Sequence, residues 1–274
     1  NSLTKRKITR LEIDILGPFI AELTGLVLDY SKAYLFETRL GPILEKYKLE
    51  SFTSLIQGIA LNRNIERDTI DAITTQETLF FRDKHPFDFI KNKYFPEFFK
   101  EKGQNAELNI WSAASSTGQE IYSIAMILNN ILFDLSKIKF IGTDISEDAL
   151  KKARNGFYKS FEVSRGLDIM QLSKYFNKEE DGFRILDEIR NRMTFIKVNL
   201  LKPLPSLPQM DLIFCRNVAI YFSRKDRAKL YDKLADKLKD DGVLIISSTE
   251  SLIGITDRFK QERSNDTFYY VKKK

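Results

Sequence analysis

The apolar positions of this chain change period once, near residue 107. Before that point they recur three or four residues apart, as one face of a helix requires. Leu16, Phe19, Ile20, Leu23 and Val27 share one such face, and Leu35, Leu40, Ile43, Leu44 and Tyr47 share another after Ser31. Ser51 reads as an N-cap for a helix over 52–60, and 65–73 supports a fourth short helix. Residues 1–75 therefore predict a small all-helical domain with no catalytic constellation of its own.

Beyond residue 107 short apolar runs alternate with helical periods. Strands are expected at 108–111, 138–143, 193–198, 211–214 and 243–248, with helices at 119–133, 147–155 and 224–239 between them. Asp241-Gly242 reads as the stop of the last helix. Such alternation predicts an open, mostly parallel sheet covered on both faces. The end differs: 259–262 and 267–271 flank Arg263-Ser264-Asn265-Asp266 and read as an antiparallel hairpin. A parallel sheet closed by a hairpin suits a methyltransferase better than a dehydrogenase. The expected fold is thus α/β, a Rossmann-like class I methyltransferase sheet with an antiparallel C-terminal hairpin, preceded by a small all-α domain. Residues 156–192 break the alternation with Gly156, Gly166, Gly182 and the charged turn at 177–181. A structureless loop of that length is uncommon in a compact domain, so a small inserted subdomain is expected. The domain boundaries follow: 1–75 helical, 76–106 a linker, and 107–274 the sheet domain with its insert.

Candidate chemistry gathers where strands end. After Asn109-Ile110-Trp111 a run of small residues leads through Gly118 into Gln119-Glu120. Small side chains at a strand-to-helix turn let a ligand approach the backbone, where unpaired helix N–H groups favour polar or anionic atoms. The next strand ends in Asp144, 26 residues after Gly118. That is near the roughly 20-residue spacing of a ribose-binding carboxylate in a β-α-β nucleotide site. Turn, helix, second strand and terminal Asp in this order point to an adenosine-type ligand. Asn199-Leu200 and Arg216-Asn217 follow two further strands, at the edge where ligands of open α/β sheets bind. Asn217 also reads as a plain turn residue, and Tyr221 as half-buried packing. The segment Thr74–Asp83 has two readings. Leu79, Phe80 and Phe81 pack the bundle onto the sheet and Arg82 is a surface charge, or the segment crosses a ligand cleft and Arg82 offers its fork to a carboxylate.

Composition narrows the field. The chain has 274 residues, 43% of them hydrophobic and 12% aromatic, enough for a real core. No apolar run approaches the roughly 20 residues of a membrane span, and no secretory leader is expected. A single cysteine, Cys215, and a single histidine, His85, argue against a disulfide framework and against metal binding. Cys215 reads as a small buried residue rather than a nucleophile. A cytoplasmic address and a monomer are expected. The net charge of +6 suits an acidic partner, and the bundle holds Lys5, Arg6, Lys7, Arg10, Lys32, Arg39, Lys46, Lys48, Arg63 and Arg67. The terminal Lys272-Lys273-Lys274 reads as a solvated tail.

Together these segments resemble the chemotaxis receptor methyltransferases, the CheR family. The resemblance rests on Thr-Thr-x-Glu-Thr-x-Phe-Phe-Arg-Asp at 74–83, Trp-Ser-Ala-Ala-x-Ser-Thr-Gly-x-Glu-x-Tyr-Ser at 111–123 and Thr-Asp-Ile-Ser at 143–146. Val-Asn-Leu at 198–200, Phe-Cys-Arg-Asn-Val-x-Ile-Tyr-Phe at 214–222 and Ser-Thr-Glu-Ser-Leu at 248–252 continue it in the family's order, over nearly the whole chain. It implies S-adenosylmethionine as methyl donor, with S-adenosylhomocysteine as product. The implied acceptors are glutamate side chains of chemoreceptor cytoplasmic helices, with no nucleic-acid partner and no membrane insertion. By the same resemblance Arg82 and Glu120 hold the carboxylate and amino ends of the methionine moiety, and Asp144 the ribose hydroxyls. Asn199 and Leu200 hold the adenine, and Ala114 gives close backbone approach. Gln76 and Thr78 take cofactor-side positions, while Arg216, Asn217 and Tyr221 line the floor beside the transferable methyl. Arg82 and Tyr221 are the expected catalytic pair, orienting groups rather than moving protons. The chain departs from the pattern at Gln76 (Asn is usual), Ser115 (Ala or Cys), Gln119 (Glu) and Ile121 (Pro).

Overall fold

The computed structural model describes residues 6–74, 76–132 and 134–273. Thr75 of the linker motif, Phe133 at the expected helix end, Lys5 and Lys274 lie outside the described residues. The bundle opens with α1 (Arg10–Thr24), started by a Thr9–Glu12 capping box and ended by Gly25 at φ 84°. Its buried row is Ile13, Leu16 and Ile20. Val27 does not continue that face: it lies past the Gly25 cap and is 60% exposed. Next come α2 (Ala33–Leu35), a π turn over Phe36–Leu40 and α3 (Gly41–Tyr47). Phe36, four residues before Leu40, takes the core position and Leu35 is only half-buried, while Leu40, Ile43 and Leu44 are buried as expected. The helix expected after Ser51 begins later, as α4 (Ser54–Leu61). Ser51 still serves its start, its Oγ accepting the Ser54 N–H at 3.0 Å. The bundle closes with α5 (Arg63–Ile73), capped by Asn62.

The expected linker is a linker only over 76–83. Beyond it the chain is helical through α6 (Lys84–Phe89), a π turn at Ile90–Tyr94 and α7 (Phe95–Lys102). Phe87, Phe89, Phe95, Phe98 and Phe99 of this stretch are buried in one core of the sheet domain.

The sheet domain then alternates β1 (Leu108–Ala113), α8 (Gln119–Ile131), β2 (Ile138–Asp144) and α9 (Glu147–Asn155). The insert follows as β3 (Phe157–Lys159), α10 (Ser160–Val163), α11 (Ile169–Tyr175), β4 (Phe176–Glu179), β5 (Gly182–Ile185) and α12 (Asp187–Arg190). The chain returns through β6 (Met193–Lys197), β7 (Met210–Cys215), α13 (Arg224–Lys237) and β8 (Leu238–Ile246), and ends in β9 (Phe259–Ser264) and β10 (Thr267–Lys272). The main sheet runs β6-β2-β1-β7-β8-β10-β9, with β10 antiparallel to both its neighbours. Its central strands are buried on both faces: Leu212 and Phe214 point into one core, Ile213 and Cys215 into the other.

One boundary departs from expectation. The last long helix ends at Lys237, and Asp241-Gly242 sits inside β8. Leu238 is buried and pairs with Met210, while Val243 pairs with Leu212. Residues 239–242 therefore bulge opposite Asp211, whose carboxylate accepts from Lys239 Nζ at 2.8 Å.

The insert has its own three-stranded antiparallel sheet, β3-β5-β4. It grips the linker. Phe80 is fully buried, edge-on to Tyr158 at 5.0 Å and to Phe176 at 5.5 Å. Phe80 thus packs on the insert, while Phe81 meets Phe87 of α6 at 5.3 Å, so the aromatic run does not join the bundle to the sheet.

Candidate functional site

The carboxyl ends of β6, β2, β1 and β7 and the linker surround one cleft of about 910 Å³, its open mouth included. Gln76, Thr78, Arg82, Ala114, Glu120, Asp144, Asn199, Leu200, Arg216, Asn217 and Tyr221 all line it. They come from residues 76 to 221 of the sequence, and the topology brings them together.

The turn after β1 is built from strained backbone. Ala114, Ser116 and Gly118 have φ of 61°, 49° and 95°. The Ser116 N–H meets Asp144 Oδ2 at 2.8 Å. The other Asp144 oxygen accepts from the Ser146 N–H at 2.9 Å. Burial pushes the Asp144 carboxyl up from its ordinary range, and these backbone donors oppose that. Each carboxylate oxygen keeps a second lone pair for a ligand hydroxyl.

A charged knot occupies the other part of the cleft. Glu120, in the first turn of α8, accepts from Ser112 Oγ at 2.7 Å and from Arg216 Nη1 at 3.2 Å. Burial raises its carboxyl, while Arg216 and Ser112 pull it back. Arg216 is 1% exposed at its side chain and also donates to the Arg82 carbonyl at 2.9 Å and to Asp83 at 2.7 Å. It is a clamp between sheet and linker more than a surface for ligand. Arg82 sits in the linker between Phe81 and Asp83, both at positive φ (50° and 55°), and donates to the Glu77 carbonyl at 2.9 Å. Gln76, longer than the usual Asn, reaches Ser116 Oγ at 3.0 Å and so ties the linker to the β1 turn.

Asn217 stands at φ 59°, a conformation asparagine tolerates better than most residues. Its N–H meets Glu250 Oε2 at 3.3 Å, and its side-chain amide donates to Ser247 at 3.2 Å. Asn199 donates to the Leu23 carbonyl of α1 at 2.9 Å and accepts from the Leu201 N–H at 2.9 Å. Tyr221 is 45% exposed at the rim. Cys215 is buried, and burial together with Glu250 and Glu120 pushes its thiol well up, so it is no nucleophile. His85 lies elsewhere, in a groove between α6 and the β9–β10 hairpin.

Comparison with known proteins decides the family. Residues 76–268 match the model of the CheR methyltransferase, SAM binding domain. The chain belongs to the CheR methyltransferase family. It is 36% identical over 259 residues to chemotaxis protein methyltransferase 1 of Vibrio cholerae, covering 92% of this chain and 93% of that one. The Vibrio parahaemolyticus chemotaxis protein methyltransferase is 37% identical, with the same coverage. Chemotaxis protein methyltransferase 1 of Pseudomonas aeruginosa is 34% identical, covering 94% and 97%. This CheR-family chain is therefore an S-adenosylmethionine-dependent methyltransferase. Its cleft fits that cofactor: Val198, Leu200, Val218 and Phe222 give an apolar side from the α13 face, and Asp144 a buried acceptor. Arg82, Glu120 and Arg216 give charge from the α8 face, where the Arg216 guanidinium lies over Phe87. Ser115 Oγ is buried in this lining with no hydrogen-bond partner among the described residues. Among the described residues no His, Cys, Asp or Glu group is placed to hold a metal. Nor is any described helix long and apolar enough to cross a membrane.

Two features escaped the sequence. Glu250 anchors the Asn217 turn, accepting also from Ser247 N at 3.2 Å and Tyr231 OH at 3.3 Å. Its place in the Ser-Thr-Glu-Ser-Leu motif was the available signal. Thr24 and Leu26, from the end of α1, line the cleft as well.

Proposed function

We propose that this protein transfers a methyl group from S-adenosylmethionine to glutamate side chains on the cytoplasmic helices of chemoreceptors, producing glutamate methyl esters. The observation that carries this reading is a cleft whose carboxylates and guanidinium are placed as binding groups, Asp144 held by two backbone N–H groups and Glu120 by Ser112 and Arg216. Among the described residues its lining contains no His, Lys or Cys. A glutamate side chain, with an ordinary pKa of about 4.3, is already ionised near neutral pH, so an acceptor oxygen needs no base to make it nucleophilic. The cofactor supplies, when bound, a methyl group on a positively charged sulfur. The work left to the chain is positioning, with reacting atoms roughly 3–3.5 Å apart and in line. Asp144 takes the ribose hydroxyls, Glu120 the amino group and Arg82 the carboxylate of the methionine part. Leu200 and Asn199 border the adenine. Ala114 brings the backbone close, Gln76 and Thr78 close the linker side, and Arg216 and Asn217 hold the floor. Tyr221, at the rim, and Arg82 orient the acceptor carboxylate. Names of the relatives support the receptor as partner, since each is called a chemotaxis protein methyltransferase. Incubation of the purified protein with labelled donor and a receptor cytoplasmic fragment, with RNA and DNA as alternatives, tests the reading. Label is expected on the receptor fragment alone. Label on nucleic acid, or cofactor binding with no transfer to receptor, overturns it.

A further inference from the structure

Arg216 does not grip Glu120 as a guanidinium ordinarily grips a carboxylate, with two parallel bonds. Only Nη1 reaches that group, at 3.2 Å, longer than the roughly 2.7–2.9 Å of a usual charged pair. Nη2 is turned instead to Asp83 Oδ2 at 2.7 Å and to the Arg82 carbonyl at 2.9 Å. Nε is buried with no hydrogen-bond partner among the described residues. The linker, not the carboxylate in the cleft, therefore sets where this guanidinium points. Asp83 is unusual in its own right. It stands at φ 55° just before α6, where an aspartate ordinarily accepts from the helix start, yet its side chain makes no such cap. Its carboxylate is half-exposed, while the Arg216 side chain it meets is 1% exposed. A strained backbone and a forgone cap accompany one contact, the pair with Arg216.

One buried positive charge is thus shared between two carboxylates, and Asp83 has the shorter bond. The division matters for Glu120, the group assigned to the amino end of the methionine moiety. A carboxylate fully engaged by a guanidinium has little attraction left for an ammonium group. With Arg216 held towards Asp83, Glu120 Oε2 keeps a lone pair and much of its charge for a second donor. Ser112 Oγ meets Oε1 at 2.7 Å as a neutral donor and leaves that charge in place. We propose that Asp83 draws Arg216 off Glu120 and so keeps Glu120 available to the amino group of the cofactor. Asp83 is a positioning residue, since it acts through Arg216. The inference rests on the reading of this cleft as the S-adenosylmethionine site with Glu120 at the amino group. It adds a consequence: the residue after Arg82 decides how strongly the cleft prefers ligands that carry an amino group.

Calorimetry on the full chain tests it with three probes: S-adenosylhomocysteine, its deamino analogue, and methylthioadenosine, which lacks the amino acid part. Asparagine tolerates positive φ, so Asp83→Asn removes the charge and keeps the turn. It should weaken S-adenosylhomocysteine about tenfold, the size of a charged hydrogen bond weakened rather than lost, and leave the other two probes unchanged. Asp83→Glu, which restores the charge, should recover most of that affinity. In a Glu120→Gln chain, adding Asp83→Asn should cost nothing further, because both residues act on one contact. Equal weakening of S-adenosylhomocysteine and its deamino analogue shows that Asp83 only holds the linker, and overturns the proposal. Wild-type affinity for S-adenosylhomocysteine in Asp83→Asn overturns it as well, and both results leave the cofactor site standing. A wild-type chain that binds S-adenosylhomocysteine no better than the deamino analogue overturns the placement of the amino group at Glu120. Failure of the wild-type chain to bind S-adenosylhomocysteine overturns the reading of the cleft itself.

Discussion

Gly166 sits in the insert, far along the chain from the cleft, yet its replacement should damage the site. It stands at φ 116°, and a Cβ built on it would lie 1.9 Å from the Phe80 carbonyl oxygen. The obstacle is backbone, so no side-chain rotation relieves it. An ordinary carbon–oxygen contact near 3.5 Å requires the linker and insert to part by more than about 1 Å. The φ adds a conformational penalty of about 1–2 kcal/mol for any L side chain. Overpacking against the fully buried Phe80, held by Tyr158 and Phe176, adds about 1–3 kcal/mol. A total of about 3 kcal/mol should lower the unfolding midpoint of Gly166→Ala by roughly 6–12 °C. The functional consequence is larger than the stability loss suggests. Arg82 is two residues beyond Phe80 on the same strained segment, and a misplacement of about 1 Å in a positioning group costs on the order of 100-fold in turnover. Differential scanning fluorimetry and methyl-transfer kinetics measure both. A Gly166→Ala protein with wild-type midpoint and wild-type turnover refutes the idea that the insert fixes the linker over the cleft.

Other expectations follow from single contacts. Asp144→Ala should weaken S-adenosylhomocysteine by about 1.5–3 kcal/mol, the usual worth of a charged hydrogen-bond partner, and unchanged affinity in calorimetry removes Asp144 from the site. In the bundle, burial pushes Asp68 up, but hydrogen bonds from Lys46, Tyr47 and Arg67 outweigh it and hold its pKa at about 2. Its stabilising effect, about 1–2 kcal/mol, should be present above the unfolded value near 3.8 and fade as pH falls toward 2, so wild type and Asp68→Asn should converge in acid melts. A constant gap at every pH contradicts that origin. Because Arg67 is tied to Asp68 at 2.8 Å, the exposed Arg63 is the cleaner probe of electrostatic steering. Arg63→Glu should raise KM for an acidic receptor fragment at low salt and lose that effect once added salt shortens the screening length below about 8–10 Å. Equal KM values at low salt would show that this charge is only solvated.

The parts of the fold that were legible in the sequence are those set by local pattern. Central strands such as 210–215 are buried on both faces and read as apolar runs, here interrupted only by Asp211. Gly118 and Asp144 mark the turn and strand end by chemistry that any β-α-β nucleotide site shares. What escaped depends on distant partners. At the bulge of 239–242 Lys239 meets the distant Asp211, and nothing near Asp241-Gly242 announces that. At the start of the second helical row Phe36 took the buried place expected for Leu35, while Leu40, Ile43 and Leu44 stayed buried as expected. Phe80 found its partners in the insert, about 80 and 100 residues away. Leu26 entered the cleft only because Gly25 meets Phe222, a contact between two domains that no local spacing encodes.

The central claim is that the cleft makes glutamate methyl esters. The most direct measurement is the chemistry of the transferred label. A receptor cytoplasmic fragment methylated with labelled S-adenosylmethionine should release volatile methanol on brief mild alkali, as carboxyl esters do. Peptide mass mapping should place each added methyl on a glutamate, and changing those glutamates to alanine should abolish incorporation. Label that survives alkali, or that maps to lysine, arginine or a nucleic acid base, contradicts the account.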